Sequence, residues 1–114
     1  MDELILEFQK IAEKAWGPYG EQTSARNYNR CFDQLKKIAT ELKENNAIRE
    51  LSVLLDDPAD SARLEATAKL LPVSQYTRKS EEVLEELGEG PGMLAFTAEQ
   101  ALKLWRSGKW MLDY

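Results

Sequence analysis

Apolar residues recur at the spacing of one α-helical face along almost the whole chain, and this periodicity constrains the fold more than any other feature. The clearest case is the segment from Tyr28 to Leu42. Its apolar stripe consists of Tyr28, Cys31, Phe32, Leu35, Ile38, Ala39 and Leu42. A stripe of this width predicts an amphipathic helix with one face on a core. The segment from Leu4 to Trp16 has the same pattern and ends at the sequence GPYG.

Turn-forming residues divide the rest of the chain into further helices. We expect these helices at about residues 48–55, 59–71, 80–87 and 93–106. Pro58 and Pro72 bound the fourth helix, Ser80 begins the fifth, and Ser107-Gly108 ends the sixth. No stretch alternates apolar and polar residues as a half-buried strand does. The sequence therefore predicts an all-α fold of five to seven helices.

Capping residues stand at several of the expected helix ends. Thr23 or Ser24 is placed to cap the second helix, because a hydroxyl accepts a hydrogen bond from a free N–H group of the first turn. Asn45-Asn46 suits the end of that helix, since asparagine tolerates the left-handed conformation. Asp57 or Asp60 is available to cap the fourth helix. These local signals support the predicted boundaries.

Length and charge restrict the class of protein. A chain of 114 residues fits a single domain, residues 1–114. Its net charge of −5 argues against general nucleic-acid binding and favours a basic partner. The one cysteine, Cys31, permits no intramolecular disulfide, and the acidic start of the chain lacks the features of a signal peptide. No apolar run is long enough to span a membrane. We expect a cytoplasmic protein.

The chain contains a weak internal repeat with a period of 33 residues. A shift by this period superposes Pro58 on Pro91, Ala62 on Ala95, Ala68 on Ala101 and Leu71 on Leu104. In both copies a proline begins the helix, where its missing N–H group removes no helical hydrogen bond. Small residues then follow at positions where a neighbouring helix comes close. This arrangement is typical of stacked helix pairs.

The segment DPADSARLEATAKLL resembles the second helix of a HEAT repeat. In that family the aspartate caps the helix and the arginine bridges to a neighbouring turn, so the resemblance assigns these roles to Asp57 and Arg63. The second copy departs from the pattern, because Gly90 and Phe96 occupy the corresponding positions. The resemblance therefore implies a degenerate or terminal second repeat without an Asp–Arg link.

A wider resemblance covers nearly the whole chain. The succession NYNRCFDQLKKIATEL, LLDDPADSARLEATAKLLP, EEVLEEL and AFTAEQALKLWRSG is similar to a small bacterial family of stand-alone ARM/HEAT-like domains. The shared features are the aromatic-rich second helix, the Asp-Pro turn and a terminal tryptophan followed by glycine. The resemblance implies a short right-handed α-α superhelix. It carries no settled activity, although some relatives occur beside secreted toxins as immunity proteins.

The residue types that carry most enzyme chemistry are scarce. The chain has no histidine, which removes the commonest general base and the favoured zinc ligand. Cys31 lies on the apolar stripe of the second helix and is expected to be a buried, inert side chain. The sequence GEGPG lacks the lysine and hydroxyl of a phosphate-binding loop. We expect neither catalysis nor a cofactor or metal.

Acidic residues cluster in two places and provide the main candidates for a binding surface. They are Asp56, Asp57 and Asp60 before the fourth helix, and Glu81, Glu82, Glu85, Glu86 and Glu89 on the fifth. Three interpretations stay open: a solvated helix face, a surface that contacts a partner, or a metal or catalytic carboxylate pair. We take all of them except Glu81 as candidate partner-binding residues.

The second helix has the opposite charge bias. Its bases are Arg26, Arg30, Lys36, Lys37 and Lys43, and they outnumber the acids Asp33 and Glu41. They are spread around the helix and do not form a stripe. Nucleic-acid binding, as in HEAT-like DNA glycosylases, is therefore an alternative hypothesis that the overall acidity of the chain disfavours.

The C-terminal segment WRSGKWMLDY is rich in aromatic residues. Trp105 ends the apolar run of the sixth helix, and Trp110 and Tyr114 follow the Ser-Gly break. These two residues either seal the end of the helical stack or present aromatic anchors to a partner, because aromatic side chains are enriched among binding hot spots. We include Trp110 and Tyr114 among the candidate partner-binding residues.

The sequence thus predicts a non-catalytic protein-binding module. Its most concrete form is an immunity protein that neutralises a cognate, basic bacterial toxin by direct binding. A HEAT-like nucleic-acid-binding protein and a generic scaffold or homo-oligomerisation domain are the alternatives. No small-molecule substrate and no membrane contact are expected.

Overall fold

A computed structural model describes residues 2–17 and 24–109 of the chain. These residues form six helices: α1 (Asp2–Trp16), α2 (Ala25–Glu44), a 3-10 helix (Ile48–Asp56), α3 (Asp60–Leu70), α4 (Thr77–Gly88) and α5 (Gly92–Arg106). Neither described range contains a β-strand. The predicted all-α class is confirmed. The predicted fourth, fifth and sixth helices are α3, α4 and α5.

The first two helices form because each has one continuous apolar face. Five residues of α1 are buried: Ile5, Phe8, Ala12, Ala15 and Trp16. Five residues of α2 are buried as well: Cys31, Leu35, Ile38, Ala39 and Leu42. Ser24 caps α2, and its hydroxyl oxygen accepts a hydrogen bond from the backbone N–H of Asn27 at 3.1 Å. The two helices pack against each other.

The end of α2 confirms the role predicted for its asparagine pair. Asn46 has a φ of 55°, in the left-handed region. The N–H of Asn46 bonds to the carbonyl of Lys43 at 3.1 Å, and the N–H of Ala47 bonds to that of Leu42 at 2.7 Å. This pair of bonds is the Schellman arrangement, which satisfies the last helical carbonyls and reverses the chain.

The predicted third helix is a 3-10 helix. Its apolar residues Ile48, Leu51 and Leu54 are spaced by three, so in a helix of three residues per turn they lie along one line. Leu51 and Leu54 are buried, and Ile48 packs against the same core. This spacing favours a 3-10 helix, which here continues for nine residues, an unusually long run.

The central element of the fold is α3, which contacts α1, the 3-10 helix, α4 and α5. Nine of its eleven residues are buried. Ala62 and Ala66 are fully buried, and their small side chains allow neighbouring helices to approach from more than one side. A helix buried all round has no amphipathic stripe. Pro72 follows its end, as predicted.

The start of α4 differs from the prediction. The helix begins at Thr77, three residues before the expected start at Ser80. The hydroxyl of Thr77 donates to the carbonyl of Leu71 at 2.6 Å, and the N–H of Ser80 already bonds to the carbonyl of Tyr76 at 2.9 Å. The prediction that Ser80 begins the helix is therefore wrong. Its hydroxyl is buried and has no hydrogen-bond partner among the described residues.

A short turn connects α4 to α5, and a second Schellman arrangement ends α5. Gly108 has a φ of 75°, its N–H bonds to the carbonyl of Trp105 at 3.2 Å, and the N–H of Lys109 bonds to that of Leu104 at 3.0 Å. This confirms the predicted termination at Ser107-Gly108.

The six helices enclose one apolar core in a body of 36 × 29 × 24 Å. The two copies of the repeat agree in part. Ala62 and Ala95 are both buried, whereas Leu71 is fully buried and Leu104 is 46% exposed. The right-handed superhelical path stays a prediction. No helix within residues 2–17 and 24–109 combines the length and apolarity needed to cross a bilayer.

Candidate functional site

The outer face of α4 carries the largest group of the predicted partner-binding residues. The helix packs between α3 and α5. Its apolar residues Val83, Leu84 and Leu87 are buried, which directs the glutamates outward. The side chains of Glu82, Glu85 and Glu86 are 64%, 54% and 67% exposed. The amphipathic pattern of α4 therefore creates an exposed acidic face.

Arg63 of α3 brings acids from two elements together. Its Nε donates to the carbonyl of Leu55 at 3.2 Å, at the end of the 3-10 helix. Its guanidinium also pairs with Glu86 at 3.0 Å and with Asp60 at 3.5 Å. The arginine side chain is only 15% exposed, whereas both carboxylates face solvent. The bond to Leu55 is a bridge of the kind that the resemblance to HEAT repeats predicts for Arg63.

Arg106 has the same role on the other side of α4. It pairs with Glu85 and, at 4.0 Å, with Glu81. On the side of the 3-10 helix, Lys79 pairs with Asp56 at 3.0 Å. These contacts join basic side chains to acids that are distant in sequence. Glu85 and Glu86 thus pair with arginines of the two neighbouring helices and remain accessible.

Asp57 has a different environment from the other acids. One carboxylate oxygen accepts a hydrogen bond from the backbone N–H of Ala59 at 2.9 Å, and the other accepts one from Nε2 of Gln9 at 2.8 Å. The first bond fixes the turn before α3. The residue that caps α3 is Ala59, without a side-chain bond, so neither Asp57 nor Asp60 is the N-cap.

Six predicted partner-binding residues form what we call the acidic surface: Asp56, Asp60, Glu82, Glu85, Glu86 and Glu89. All six are exposed. Asp57 lies beside this surface, with both oxygens in intramolecular bonds. Trp110 and Tyr114 lie outside the described residues.

A buried carboxyl group that the sequence did not reveal lies on α3. Glu65 is 3% exposed and accepts a hydrogen bond from Nε1 of Trp16 at 2.9 Å. Burial raises the pKa of Glu65 above its usual range, and the contacts with Trp16, Lys69 and Tyr28 offset part of that effect. Lys69 is buried as well, with Nζ 5.2 Å from the ring centroid of Phe32. The sequence feature that could have indicated this buried group is the i, i+4 spacing of Glu65 and Lys69.

The basic residues of α2 are exposed, as the nucleic-acid hypothesis requires. Arg26, Arg30, Lys36, Lys37 and Lys43 all face solvent. The acids Asp33, Glu41 and Glu44 lie beside Lys36 and Lys37 on the same outer face. This mixture of charges gives no continuous basic stripe. Nucleic-acid binding stays the weaker hypothesis.

A groove of about 860 Å³ lies between the second half of α1 and the turns that precede α3 and α5. Pro58 and Pro91, which the repeat superposes, both line it. Its charged residues are Lys10, Glu13, Lys14 and Asp60, two bases and two acids. The groove thus shows where the repeated turns meet and has no excess of either charge.

The described ranges contain no group of three or more acidic or cysteine side chains placed to hold a metal ion. Cys31 is buried, as predicted. Comparisons of the chain with protein-family models, with curated proteins and with solved structures find no match. The functional interpretation therefore depends on the acidic surface itself.

Proposed function

We propose that the chain is a non-catalytic protein-binding module, and specifically a cytoplasmic immunity protein that neutralises a basic bacterial toxin by direct binding. The acidic surface is the observation that carries this proposal. Its carboxylates come from the 3-10 helix, α3 and the α4 region, and they all remain exposed.

Arg63 and Arg106 explain how such a surface suits recognition. Side chains that are ordered before binding lose less conformational entropy when a partner arrives. The two arginines hold Glu85 and Glu86 from opposite sides of α4. A basic partner would therefore meet glutamates that already have defined positions.

The charge balance of α4 supports a basic partner. The helix contains four glutamates and two bases, and Glu89 follows directly. Arg78, one of those bases, has a side chain that is 93% exposed. Complementary charge accelerates encounter and excludes partners of like charge more than it increases affinity. Fast capture is what neutralisation of a toxin requires.

Co-expression tests the proposal directly. The partner to use is the C-terminal toxin domain of a large secreted protein encoded beside this chain. We expect the chain to restore growth of cells that express this domain and to elute with it as one complex in gel filtration. Continued growth arrest, or the absence of any such neighbouring gene, would contradict the immunity function.

A further inference from the structure

The outer face of α5 is apolar where an exposed helix face is ordinarily polar. Met93, Phe96 and Leu104 are 49%, 57% and 46% exposed. Their spacing places them on one side of the helix, opposite the buried residues Leu94, Ala98 and Leu102. We call Met93, Phe96 and Leu104 the α5 stripe. Single exposed apolar residues are normal on a surface, whereas contiguous apolar patches mark interaction sites. Met93 and Phe96 are neighbours at i, i+3, and Gln100 lies between Phe96 and Leu104.

The repeat explains why Phe96 is exposed. It occupies the position of Arg63 in the first copy. Arg63 reaches forward to Glu86 on the next helix, α4. Within residues 2–17 and 24–109 no further helix follows α5, so this part of the chain offers Phe96 no equivalent contact. Phe96 thus presents an apolar side chain at the position where a following helix would pack.

The α5 stripe adjoins the acidic residues of α4. A Cβ atom placed on Gly88 would lie 3.7 Å from the Cβ of Glu99, so the two helices approach closely there. Phe96 is three residues before Glu99 and is its neighbour on the helix surface. Glu85 and Glu89 flank Gly88 in α4. The glutamates of α4 therefore border the α5 stripe on one side, where Glu99 pairs with Lys103 at 3.1 Å and Glu85 pairs with Arg106.

We propose that the α5 stripe, bordered by the glutamates of α4, binds a basic amphipathic helix of a partner protein, with Phe96 as the main apolar anchor. This inference rests on the proposed function and assigns the partner's shape. The stripe spans twelve residues, from Met93 to Leu104, a rise of about 16 Å or about three helical turns. A helix with an apolar row and flanking lysines or arginines matches the stripe and its bordering glutamates, as in helix-in-groove recognition. A second copy of this acidic chain would bring like charges together.

The test uses a fluorescein-labelled synthetic peptide of 18 leucines and lysines, with the leucines at helical spacing on one face. A scrambled peptide of the same composition serves as the charge control. Fluorescence anisotropy gives the affinity for each protein. We expect Phe96→Ser to weaken binding by about tenfold or more, because truncation of a central aromatic anchor removes a hot spot.

Val53→Ser is the matched control, because Val53 is 65% exposed but lies on the 3-10 helix. We expect its affinity to stay within about twofold of the wild type, since an isolated exposed apolar residue contributes little. A melting curve checks that both variants fold. Equal effects of the two substitutions, or equal binding of the scrambled peptide, would overturn the proposal.

A third protein separates this inference from the proposed function. It carries Glu82→Gln, Glu85→Gln and Glu89→Gln, which leaves the pair of Glu86 and Arg63 intact. Weaker binding by this variant together with full binding by Phe96→Ser would support the acidic surface and overturn the role of the α5 stripe. Weaker binding by Phe96→Ser alone would support the stripe and count against the acidic surface.

Other occupants of the stripe give distinct results. A dimeric mass in light scattering that Phe96→Ser converts to a monomer would show that a second copy occupies the stripe. Tighter peptide binding after truncation behind Lys109 would show that residues 110–114 occupy it. Either result would overturn the proposed partner.

Discussion

At the scale of single residues, Glu65 is the group most dependent on the folded environment. It is buried on the central helix and bonded to Trp16. Because the pKa of Glu65 is raised in the folded protein, the folded state binds its proton more tightly than the unfolded chain does. The contribution of this group to stability is therefore largest below the ordinary glutamate pKa and falls as pH rises from there through the folded pKa.

Glu65→Gln tests this sign. As pH rises above about 4.5, the unfolding free energy of the wild type should fall relative to that of the variant. The steepest possible slope is about 1.4 kcal/mol per pH unit. Urea denaturation at several pH values measures it, with Glu41→Gln as an exposed control on α2. A rise in the unfolding free energy of the wild type relative to that of the variant over this pH range would contradict the predicted sign.

Ser80 gives a second prediction at the same scale. Its buried hydroxyl has no hydrogen-bond partner in the part of the chain that the structure describes, and such a group destabilises the folded state. Ser80→Ala should therefore raise the free energy of unfolding by about 1 kcal/mol. Ser74→Ala, at an exposed position in the turn before α4, should leave it within about 0.5 kcal/mol. Chemical denaturation measures both, and a destabilising effect at Ser80 would show that the hydroxyl has a partner.

At the scale of secondary structure elements, Arg63 joins α3 to the 3-10 helix and to α4. Its bond to the Leu55 carbonyl satisfies a backbone group at the end of the 3-10 helix. Arg63→Met keeps the aliphatic part of the side chain and removes every donor. We expect the free energy of unfolding to fall by about 1.5–3 kcal/mol, because a lost hydrogen bond to a charged group costs about that much.

Arg78→Met is the matched control for this prediction. The side chain of Arg78 is 93% exposed, and its pair with Glu82 spans 3.8 Å. Exposed ion pairs on a helix contribute a few tenths of a kcal/mol. The loss of unfolding free energy, measured by thermal and chemical denaturation, should therefore be clearly larger for Arg63→Met than for Arg78→Met. A similar small effect from both substitutions would show that Arg63 does not connect these elements energetically.

The elements that the sequence predicted best are those with local causes. The stripe of α2, the cap at Ser24 and the left-handed Asn46 all depend on neighbouring residues, and the structure confirms them. The start of α4 was missed because the bond from Thr77 to Leu71 belongs to a turn without regular periodicity. The burial of nine of the eleven residues of α3 depends on four other elements, and no spacing within α3 reveals it.

The acidic surface was likewise predicted only in part from the sequence. The sequence identified the carboxylates but not their partners, because Arg63 and Arg106 lie 23 and 21 residues from the glutamates they hold. Which acids share a surface depends on the packing of three helices. The α5 stripe was also missed, since Met93, Phe96 and Leu104 fit an apolar helix equally well whether they face the core or solvent.

At the scale of the whole molecule, one apolar core carries an acidic surface on its exterior. The core residues come from all six helices. The acidic surface comes from the 3-10 helix, α3 and the α4 region, and exposed bases of α4 and α5 pair with several of its carboxylates. The net charge of −5 still favours encounter with a basic partner.

The most direct test of the acidic surface is the association rate with the neighbouring toxin domain, measured by stopped-flow fluorescence at low and high salt. The account predicts that Glu82→Gln, Glu85→Gln and Glu89→Gln together slow association about tenfold at low salt, and that high salt reduces this difference by screening. A control variant with Asp33→Asn, Glu41→Gln and Glu44→Gln changes the net charge equally on α2 and should associate nearly as fast as the wild type. Equal rates for the two triple variants would contradict the claim that the acidic surface captures the partner.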